Sequence, residues 1–408
     1  MQTQLVNIHL YPPERSLRQP HMEKLVLQVA NVCNLSCNYC ITQEGGWGKE
    51  NHLRFMTADT VRCAIEQFAE AFEDIAVINF FGGEPTLNLA AMEAAGGTVA
   101  RLIERGVLKD RPHLSMATNG MCASEEFIDI VNHYEMRFAV SLDGPEDIND
   151  LHRVAKGGQG TYQRVKENVL KLRAATGFPK GIAVTYTAAH LNSPTSLWER
   201  LCRMREDLDI WDFAIMPATN SPATPGQWDP LLADPLRFIT EYRECVRQSL
   251  LEMTHRADAI SIEYGKKALA KLVEEPSYEE CPAGATYFAV SGEGDVYPCQ
   301  NLPETPEFRI TNVRSPLFHS ELWASPIRME IVEANSQAIG TICDHESRSM
   351  CRICPSDNLG ETGSLKTYSP QRFRLYQAID QITKDTFIEI MGTQDDSARN
   401  RFLENLER

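Results

Sequence analysis

The chain has 408 residues, of which 43% are hydrophobic and 8% aromatic, so it can bury a substantial core. Its formal net charge of −16 disfavours the basic surface of a nucleic-acid-binding protein. No run of about 18 apolar residues predicts a membrane span, and the amino-terminal residues lack a secretory signal. We therefore expect a cytoplasmic protein that binds neither nucleic acid nor membrane.

Strand and helix patterns alternate from residue 24 to residue 216. Predicted strands lie at 24–30, 76–81, 113–118, 136–142, 181–187 and 211–216. Predicted helices lie at 56–72, where Thr57 is the expected N-cap, and at 89–105, 124–133, 160–175 and 194–206. Six such units predict a parallel α/β sheet, either a partial barrel or a doubly wound sheet. A helical segment to about 257, short strands after 280 and a closing helical stretch at 370–406 follow.

Several short motifs come directly after predicted strands. A cysteine-rich loop follows the first strand, and FGGEP (81–85), TNG (118–120) and SLDG (141–144) follow the next three. Ligands of parallel α/β folds bind at the carboxyl ends of the strands. We therefore expect these motifs to meet at one rim of the sheet.

Twelve cysteines in one chain indicate metal or redox use, because a cytoplasmic protein does not keep disulfides. Three of them, Cys33, Cys37 and Cys40, lie in one loop that has no histidine or fourth cysteine. A structural zinc site needs four ligands. A [4Fe–4S] cluster held by three thiolates instead keeps one iron open for a small molecule.

The spacing CxxxCxxC, with Tyr39 before its last cysteine and GGEP, TNG and SLDG after it, resembles the radical S-adenosylmethionine (SAM) superfamily over residues 24 to about 216. The resemblance implies a partial (β/α)6 TIM-like barrel. It implies that Cys33, Cys37 and Cys40 hold a [4Fe–4S] cluster whose open iron chelates S-adenosylmethionine. Reductive cleavage then yields methionine and a 5′-deoxyadenosyl radical, with the electron coming from an external flavodoxin- or ferredoxin-type donor.

The resemblance also implies the cofactor contacts. Gly82, Gly83 and Glu84 are expected at the methionyl amino group, although the glycines also fit a plain strand-end turn. Ser141 and Arg153 are expected at the carboxylate, against the alternative that Arg153 is solvated, and Asn119 at the ribose or carboxylate.

No catalytic base is assigned from the sequence. Asp143 is interpreted as a helix N-cap, and Tyr186 and Asp212 as ordinary structural residues.

A second pattern lies near the carboxyl terminus: Cys281, Cys299, Cys351 and Cys354. It resembles the SPASM domain or its shorter form, twitch, and implies one fully thiolate-ligated auxiliary [4Fe–4S] cluster in a domain packed over the barrel rim. A zinc ribbon is the alternative. No cysteine follows Cys354, so a second auxiliary cluster is not expected. Cys343 is interpreted as an inert buried thiol, with a substitute cluster ligand as the alternative.

These patterns divide the chain into five segments. They are an extension (1–22), a radical SAM barrel (23–230), a helical linker (231–280), the auxiliary-cluster domain (281–369) and a closing helical segment (370–408).

The resemblance is closest to peptide-modifying maturases, and implies a peptide or protein substrate that is crosslinked or oxidised on a side chain. Either the barrel or a separate leader-binding protein recognises that substrate. The alternatives are a twitch-type dehydrogenase of a small carbohydrate or aminocyclitol, and a non-catalytic iron–sulfur or zinc protein.

Overall fold

The computed structural model describes residues 19, 21–44, 55–218, 227–263, 281–302, 306–342, 354–367 and 370–407. Six strands and the helices between them make up its first half. The strands are β1 (Met22–Ala30), β2 (Ile75–Gly82), β3 (His113–Thr118), β4 (Arg137–Ser141), β5 (Gly181–Tyr186) and β6 (Asp212–Pro217). The main connecting helices are α1 (Ala58–Ala71), α2 (Leu89–Glu104), α3 (Glu125–Tyr134), α4 (Glu146–His152), α5 (Tyr162–Thr176), α6 (Ala188–Leu191) and α7 (Leu197–Leu208).

The predicted helix start at Thr57 is confirmed. The Thr57 side chain accepts a hydrogen bond from the backbone N–H of Thr60 at 3.1 Å, which satisfies one free donor of the first turn of α1. Along α1 the buried side chains recur at helical spacing and include Val61, Ile65 and Phe68. This face packs against the sheet.

Strand order distinguishes between the two predicted α/β architectures. Strands β1 to β6 are parallel and lie side by side in chain order. A doubly wound sheet reverses its order at a switch point, whereas right-handed crossovers in unbroken order place every helix on one face. The fold is therefore a partial (β/α)6 barrel with an open concave face.

Four further strands extend this sheet at both ends. They are β7 (Ser261–Ile262), which pairs with β6, and β8 (Tyr287–Val290), β9 (Asp295–Tyr297) and β10 (Thr311–Asn312). Strand β8 is parallel to β1, with Lys24 opposite Tyr287 and Leu27 opposite Val290, and β9 runs antiparallel to β8. The first strands after residue 280 thus continue the barrel sheet.

The remaining helices follow the six strand–helix units in the chain. They are α8 (Pro230–Ala233), α9 (Pro235–Met253), α10 (Phe318–Ala324), α11 (Pro326–Ile342), α12 (Pro355–Thr362), α13 (Pro370–Thr393) and α14 (Asp396–Glu407). Helix α10 joins the main core through Phe318, whose ring centre lies 5.4 Å from that of Phe68. Among the described residues, no helix has the length and apolar character needed to cross a membrane.

Candidate active site

The cysteine loop leaves β1 at the carboxyl rim of the sheet and is held by backbone hydrogen bonds to a distant loop. The N–H of Ser36 donates to the carbonyl of Val154 at 2.8 Å, and the N–H of Asn38 donates to that of His152 at 3.3 Å. Cys33, Cys37 and Cys40 are all half-buried. The loop is therefore fixed against the segment that follows α4.

The surroundings of these thiols suit iron–sulfur ligation. The N–H of Leu35 donates to the sulfur of Cys33 at 3.4 Å, and the N–H of Glu44 donates to that of Cys40 at 3.5 Å. Such N–H donors stabilise thiolates, and they are one of the factors that set cluster potentials. Burial raises the pKa of Cys37 to about 12, and the Arg153 guanidinium opposes that rise. Three thiols in one loop, two of them with N–H donors, have the chemistry of the three-cysteine cluster that the sequence predicts.

Gly82 and Gly83 are required by the cysteine loop itself. A Cβ on Gly82 would collide with the carbonyl oxygen of Ala30, and one on Gly83 would collide with that of Val32. Gly82 also has φ +137°, which L side chains rarely adopt. The Gly83 N–H donates to the Ala30 carbonyl at 2.7 Å. The glycines thus let the loop lie directly against the end of β2, which adds a close backbone contact to the strand-end turn that the sequence allowed.

The Glu84 carboxylate joins the ends of β2 and β3. It is 1% exposed, and its Oε1 accepts from the N–H and hydroxyl of Thr86 and from the hydroxyl of Thr118. Its Oε2 accepts from the N–H of Asn119 at 2.7 Å. Four donors compensate the cost of burying this carboxylate. The structure therefore gives Glu84 a bracing role at the rim.

Asn119 lies directly beside the cysteine loop. Its side-chain amide donates to Asn34 Oδ1 at 2.7 Å and lies 3.8 Å from the sulfur of Cys33. Its own Oδ1 accepts from the N–H of Met121 at 3.0 Å. The TNG motif is thus at the rim, as the sequence predicts.

Tyr39, Asp143 and Arg153 form a buried hydrogen-bonded group. The Tyr39 hydroxyl donates to Asp143 Oδ2 at 2.6 Å and accepts from Arg153 Nη1 at 2.7 Å. Arg153 Nη1 also lies 3.9 Å from Asp143 Oδ1, and the Arg153 side chain is only 10% exposed. Arg153 is therefore not the solvated arginine of the alternative interpretation. The group ties the cysteine loop to the residues that follow β4 and α4.

The interpretation of Asp143 as a helix N-cap is wrong. Helix α4 begins after Pro145 and has no side-chain cap, whereas Asp143 is 1% exposed and accepts from Tyr39 and from the N–H of Thr185 at 3.2 Å. Burial raises the pKa of Asp143, and the Arg153 guanidinium opposes this rise. The partners of Asp143 come from the cysteine loop, from β5 and from the segment after α4, so local sequence could not reveal them.

Two buried histidines extend the group, and sequence reasoning missed them. His190 accepts from the N–H of Thr187 at Nδ1, so its Nε2 carries the proton and donates to the carbonyl of Asp143 at 2.8 Å. His152 lies 2.8 Å from Asn38 Oδ1 and 2.9 Å from the Thr187 hydroxyl. Burial lowers the pKa of His152 to about 4 and that of His190 to about 3, so both are neutral near pH 7. The only sequence signal was their proximity to SLDG and to the end of β5.

The other named residues lie at different places. Ser141 ends β4 at the rim and is half-buried. Tyr186 ends β5 and donates to Glu241 Oε2 at 2.8 Å, which is a structural contact. Asp212 begins β6, at the opposite edge of the sheet, where it lines a small cavity with Ser261 and Asn405.

Three of the four predicted auxiliary cysteines are described, and Cys281 and Cys299 pack against the same small apolar cluster. Cys281, Cys299 and Cys354 lie close enough for their charges to interact, whereas Cys343 and Cys351 lie outside the described residues. The N–H of Asn301 donates to the sulfur of Cys299 at 3.4 Å. Backbone N–H groups also bond Cys281 and Cys354 and lower their pKa, although burial raises it more. These three thiols therefore also suit an iron–sulfur cluster.

The auxiliary site lies near the amino-terminal ends of the barrel strands. Cys281 precedes β8 and Cys299 follows β9, and these two strands form a hairpin. The two free ends of this hairpin, which carry the cysteines, lie beside Lys24. Lys24 lies near the amino end of β1, and the cysteine loop follows Ala30 at its carboxyl end. Six residues at ~3.3 Å each separate the two levels by roughly 20 Å. The two cysteine sites thus lie at opposite ends of the strands, one near the amino ends and the other near the carboxyl ends.

Comparison with known proteins agrees with this geometry. Residues 27–190 match the model of the radical SAM superfamily. A cysteine-type anaerobic sulfatase-maturating enzyme of Clostridium novyi is 20% identical, over 77% of this chain and 82% of that protein. The chain spans about half the length of two uncharacterised archaeal relatives, from Methanothermobacter thermautotrophicus and Methanocaldococcus jannaschii.

Two solved structures share the fold. Native anSMEcpe with bound AdoMet and Cp18Cys peptide superimposes with a TM-score of 0.72 at 17% identity, covering 90% of this chain and 98% of that one. Streptococcus suis SuiB bound to the precursor peptide SuiA gives 0.59 at 14% identity, covering 87% and 76%. Residues 27–190 therefore match the radical SAM superfamily, whose members use S-adenosylmethionine and a [4Fe–4S] cluster, and the chain is similar to a sulfatase-maturating enzyme.

Proposed function

We propose that this radical SAM enzyme oxidatively modifies a peptide or protein substrate, by crosslinking it or oxidising a side chain. When bound, the catalytic cluster and S-adenosylmethionine supply a 5′-deoxyadenosyl radical that abstracts a substrate hydrogen atom. The single observation that carries the proposal is the convergence of the cysteine loop with Glu84, Asn119 and Arg153 at the carboxyl rim. The peptide substrate is proposed by analogy with the similar proteins, two of which were solved with a peptide bound.

In this proposal Cys33, Cys37 and Cys40 hold the catalytic cluster. Arg153 is already oriented by Tyr39 and Asp143, and its guanidinium would pair with the methionyl carboxylate together with the hydroxyl of Ser141. Backbone groups at Gly82 and Gly83 would receive the amino group, and Asn119 would contact the ribose or carboxylate. Glu84 braces this surface from below, through the contacts described above.

The concave face of the barrel offers room for a substrate segment. On β3 to β6, many of the positions that alternate with the helix-facing core carry small side chains that are half-buried or exposed: Ser115, Ala117, Ala139, Ser141, Ala183, Thr185 and Ala214. Closed TIM barrels fill this space with bulky branched residues. The small residues support binding of an extended peptide between the two cysteine sites.

We further propose that Cys281, Cys299 and Cys354, with Cys351 as predicted from the sequence, hold one auxiliary [4Fe–4S] cluster. Hydrogen abstraction leaves the substrate with one unpaired electron, and a net two-electron oxidation must place that electron on an acceptor. The auxiliary cluster, near the amino ends of the strands, would accept this electron, and the accompanying proton would pass to solvent. An external flavodoxin- or ferredoxin-type protein would supply the initial electron. Either the barrel would recognise the peptide directly, or a separate protein would bind its leader.

The experiment combines the anaerobically reconstituted enzyme, S-adenosylmethionine, dithionite and candidate peptides encoded beside the gene. We expect 5′-deoxyadenosine and a peptide product lighter by two hydrogen atoms. A Cys351→Ala, Cys354→Ala variant should still form 5′-deoxyadenosine but no oxidised product. If the peptides remain unchanged while a small carbohydrate is oxidised, the peptide assignment is wrong.

A further inference from the structure

The auxiliary site has a cationic neighbour on the concave face of the sheet. Lys24 of β1 is paired directly with Tyr287 of β8. Phe288 and Val290 belong to the main hydrophobic core, so Tyr287, which alternates with them, points to the opposite, concave face. Lys24 shares that face at the same level of the sheet.

Contacts fix Lys24 at this position. Its Nζ lies 5.6 Å from the centre of the Tyr287 ring, within the range of a cation–π interaction. The Tyr287 hydroxyl donates to Gln300 Oε1, and Gln300 is adjacent to Cys299. Tyr287 therefore links the ammonium group to the turn that carries one of the cysteines.

Charges of both signs surround the cysteines. Asp357 is three residues from Cys354 in sequence, in the first turn of α12, and the hydroxyl of neighbouring Ser356 donates to the carbonyl of Asn301 at 2.7 Å. Lys24 lies beside the site through its contact with Tyr287, whose hydroxyl bonds the neighbour of Cys299, and Asp357 lies one helical turn after Cys354. Glu23 is a second anion, and its carboxylate accepts from the Thr286 hydroxyl at 2.8 Å. Lys24 and Asp357 thus bring charges of opposite sign to the auxiliary site.

We propose that Lys24, held over the Tyr287 ring, raises the reduction potential of the auxiliary cluster, and that Asp357 lowers it. Adding an electron makes a thiolate-ligated cluster more negative, so a nearby cation stabilises the reduced form and a nearby anion destabilises it. This inference rests on the auxiliary cluster of the proposed function. The positive charge of Lys24 would make the cluster a better electron acceptor.

The test uses the full chain with Cys33, Cys37 and Cys40 replaced by alanine, so that only the auxiliary cluster is present. Its potential is measured by redox titration followed by electron paramagnetic resonance. In this background Lys24→Gln should make reduction about tenfold less favourable, which is a shift of 59 mV to more negative potential for one electron. Asp357→Asn should shift the potential in the positive direction.

Two variants serve as matched controls. Lys24→Arg keeps the charge and should keep the potential, which also shows that the position tolerates substitution. Lys171→Gln removes one positive charge on α5, where Lys171 pairs with Glu125 at 2.7 Å, and should leave the potential unchanged. An equal shift in Lys171→Gln, or an unchanged potential in Lys24→Gln with iron still bound, overturns the role of Lys24 alone. A background variant that binds no iron overturns the auxiliary cluster, and this inference with it.

Discussion

The two cysteine sites are built in different ways, although each gathers thiols around backbone N–H donors. The rim site is braced by polar side chains from the ends of several parallel strands, such as Glu84 and Asp143. The hairpin site lies against a small apolar cluster that includes Tyr297, Leu302 and Ile331. The rim site thus depends on hydrogen bonds between strand ends, whereas the hairpin site depends on a turn, on apolar packing and on a cysteine from a distant segment.

The largest expected effect is the loss of the catalytic cluster without loss of the auxiliary one. Replacing Cys33, Cys37 and Cys40 with alanine should abolish 5′-deoxyadenosine formation while about four irons stay bound, because the other thiols lie at the opposite ends of the strands. Iron and sulfide analysis with a cleavage assay measures both. A Cys63→Ala variant is the control and should behave as the unmodified chain. Continued cleavage of S-adenosylmethionine by the triple variant would show that these three cysteines do not hold the catalytic cluster.

The second prediction tests the rim alone. Arg153→Ala should weaken S-adenosylmethionine binding by about 2–5 kcal/mol, the range for losing one partner of a buried charged pair. Equilibrium binding to the reconstituted protein measures the loss, and auxiliary iron should not change. Arg164→Ala, at an exposed position on α5, is the control. Equal affinities for both variants would exclude Arg153 from the cofactor site.

The third prediction sharpens the role of long-range hydrogen bonds. Glu84→Gln replaces one accepting oxygen by an NH2 group, which sets a donor against the donors of Thr86, Thr118 or Asn119. The free energy of unfolding should fall by about 2–3 kcal/mol, measured by denaturant titration. Glu93→Gln, on the exposed face of α2, should have little effect. Equal stabilities would mean that the carboxylate does not brace the strands.

The smallest expected effect concerns the hairpin. Gly294 has φ +89°, and a Cβ there would lie 2.9 Å from Cγ2 of Val313. Gly294→Ala should lower the free energy of unfolding by about 1–2 kcal/mol and release auxiliary iron before catalytic iron. Gly106→Ala has a similar positive φ with open space around it, so it should cost less and release neither. Preferential loss of catalytic iron in Gly294→Ala would contradict the independence of the two sites.

Much of the barrel could be predicted because each element carries its own signal. All six strands and the main crossover helices lie within a few residues of their predicted positions, since buried strands, helical periodicity and the Thr57 cap are local features. The position of β8 beside β1 could not be predicted. A four-residue strand has no local signal that selects a parallel partner far away in the chain.

The sequence by itself determined the chemistry: three clustered cysteines, the motifs at successive strand ends and a second set of cysteines. Tertiary structure alone decided which partners these residues have and which end of the strands they occupy. Asp143 became a buried partner of Tyr39 and Arg153, and the auxiliary cysteines were placed near the amino ends of the strands. The physical reason is that motif and spacing record residue type and local geometry, whereas burial and hydrogen-bond partners are set by segments brought together only when the sheet forms.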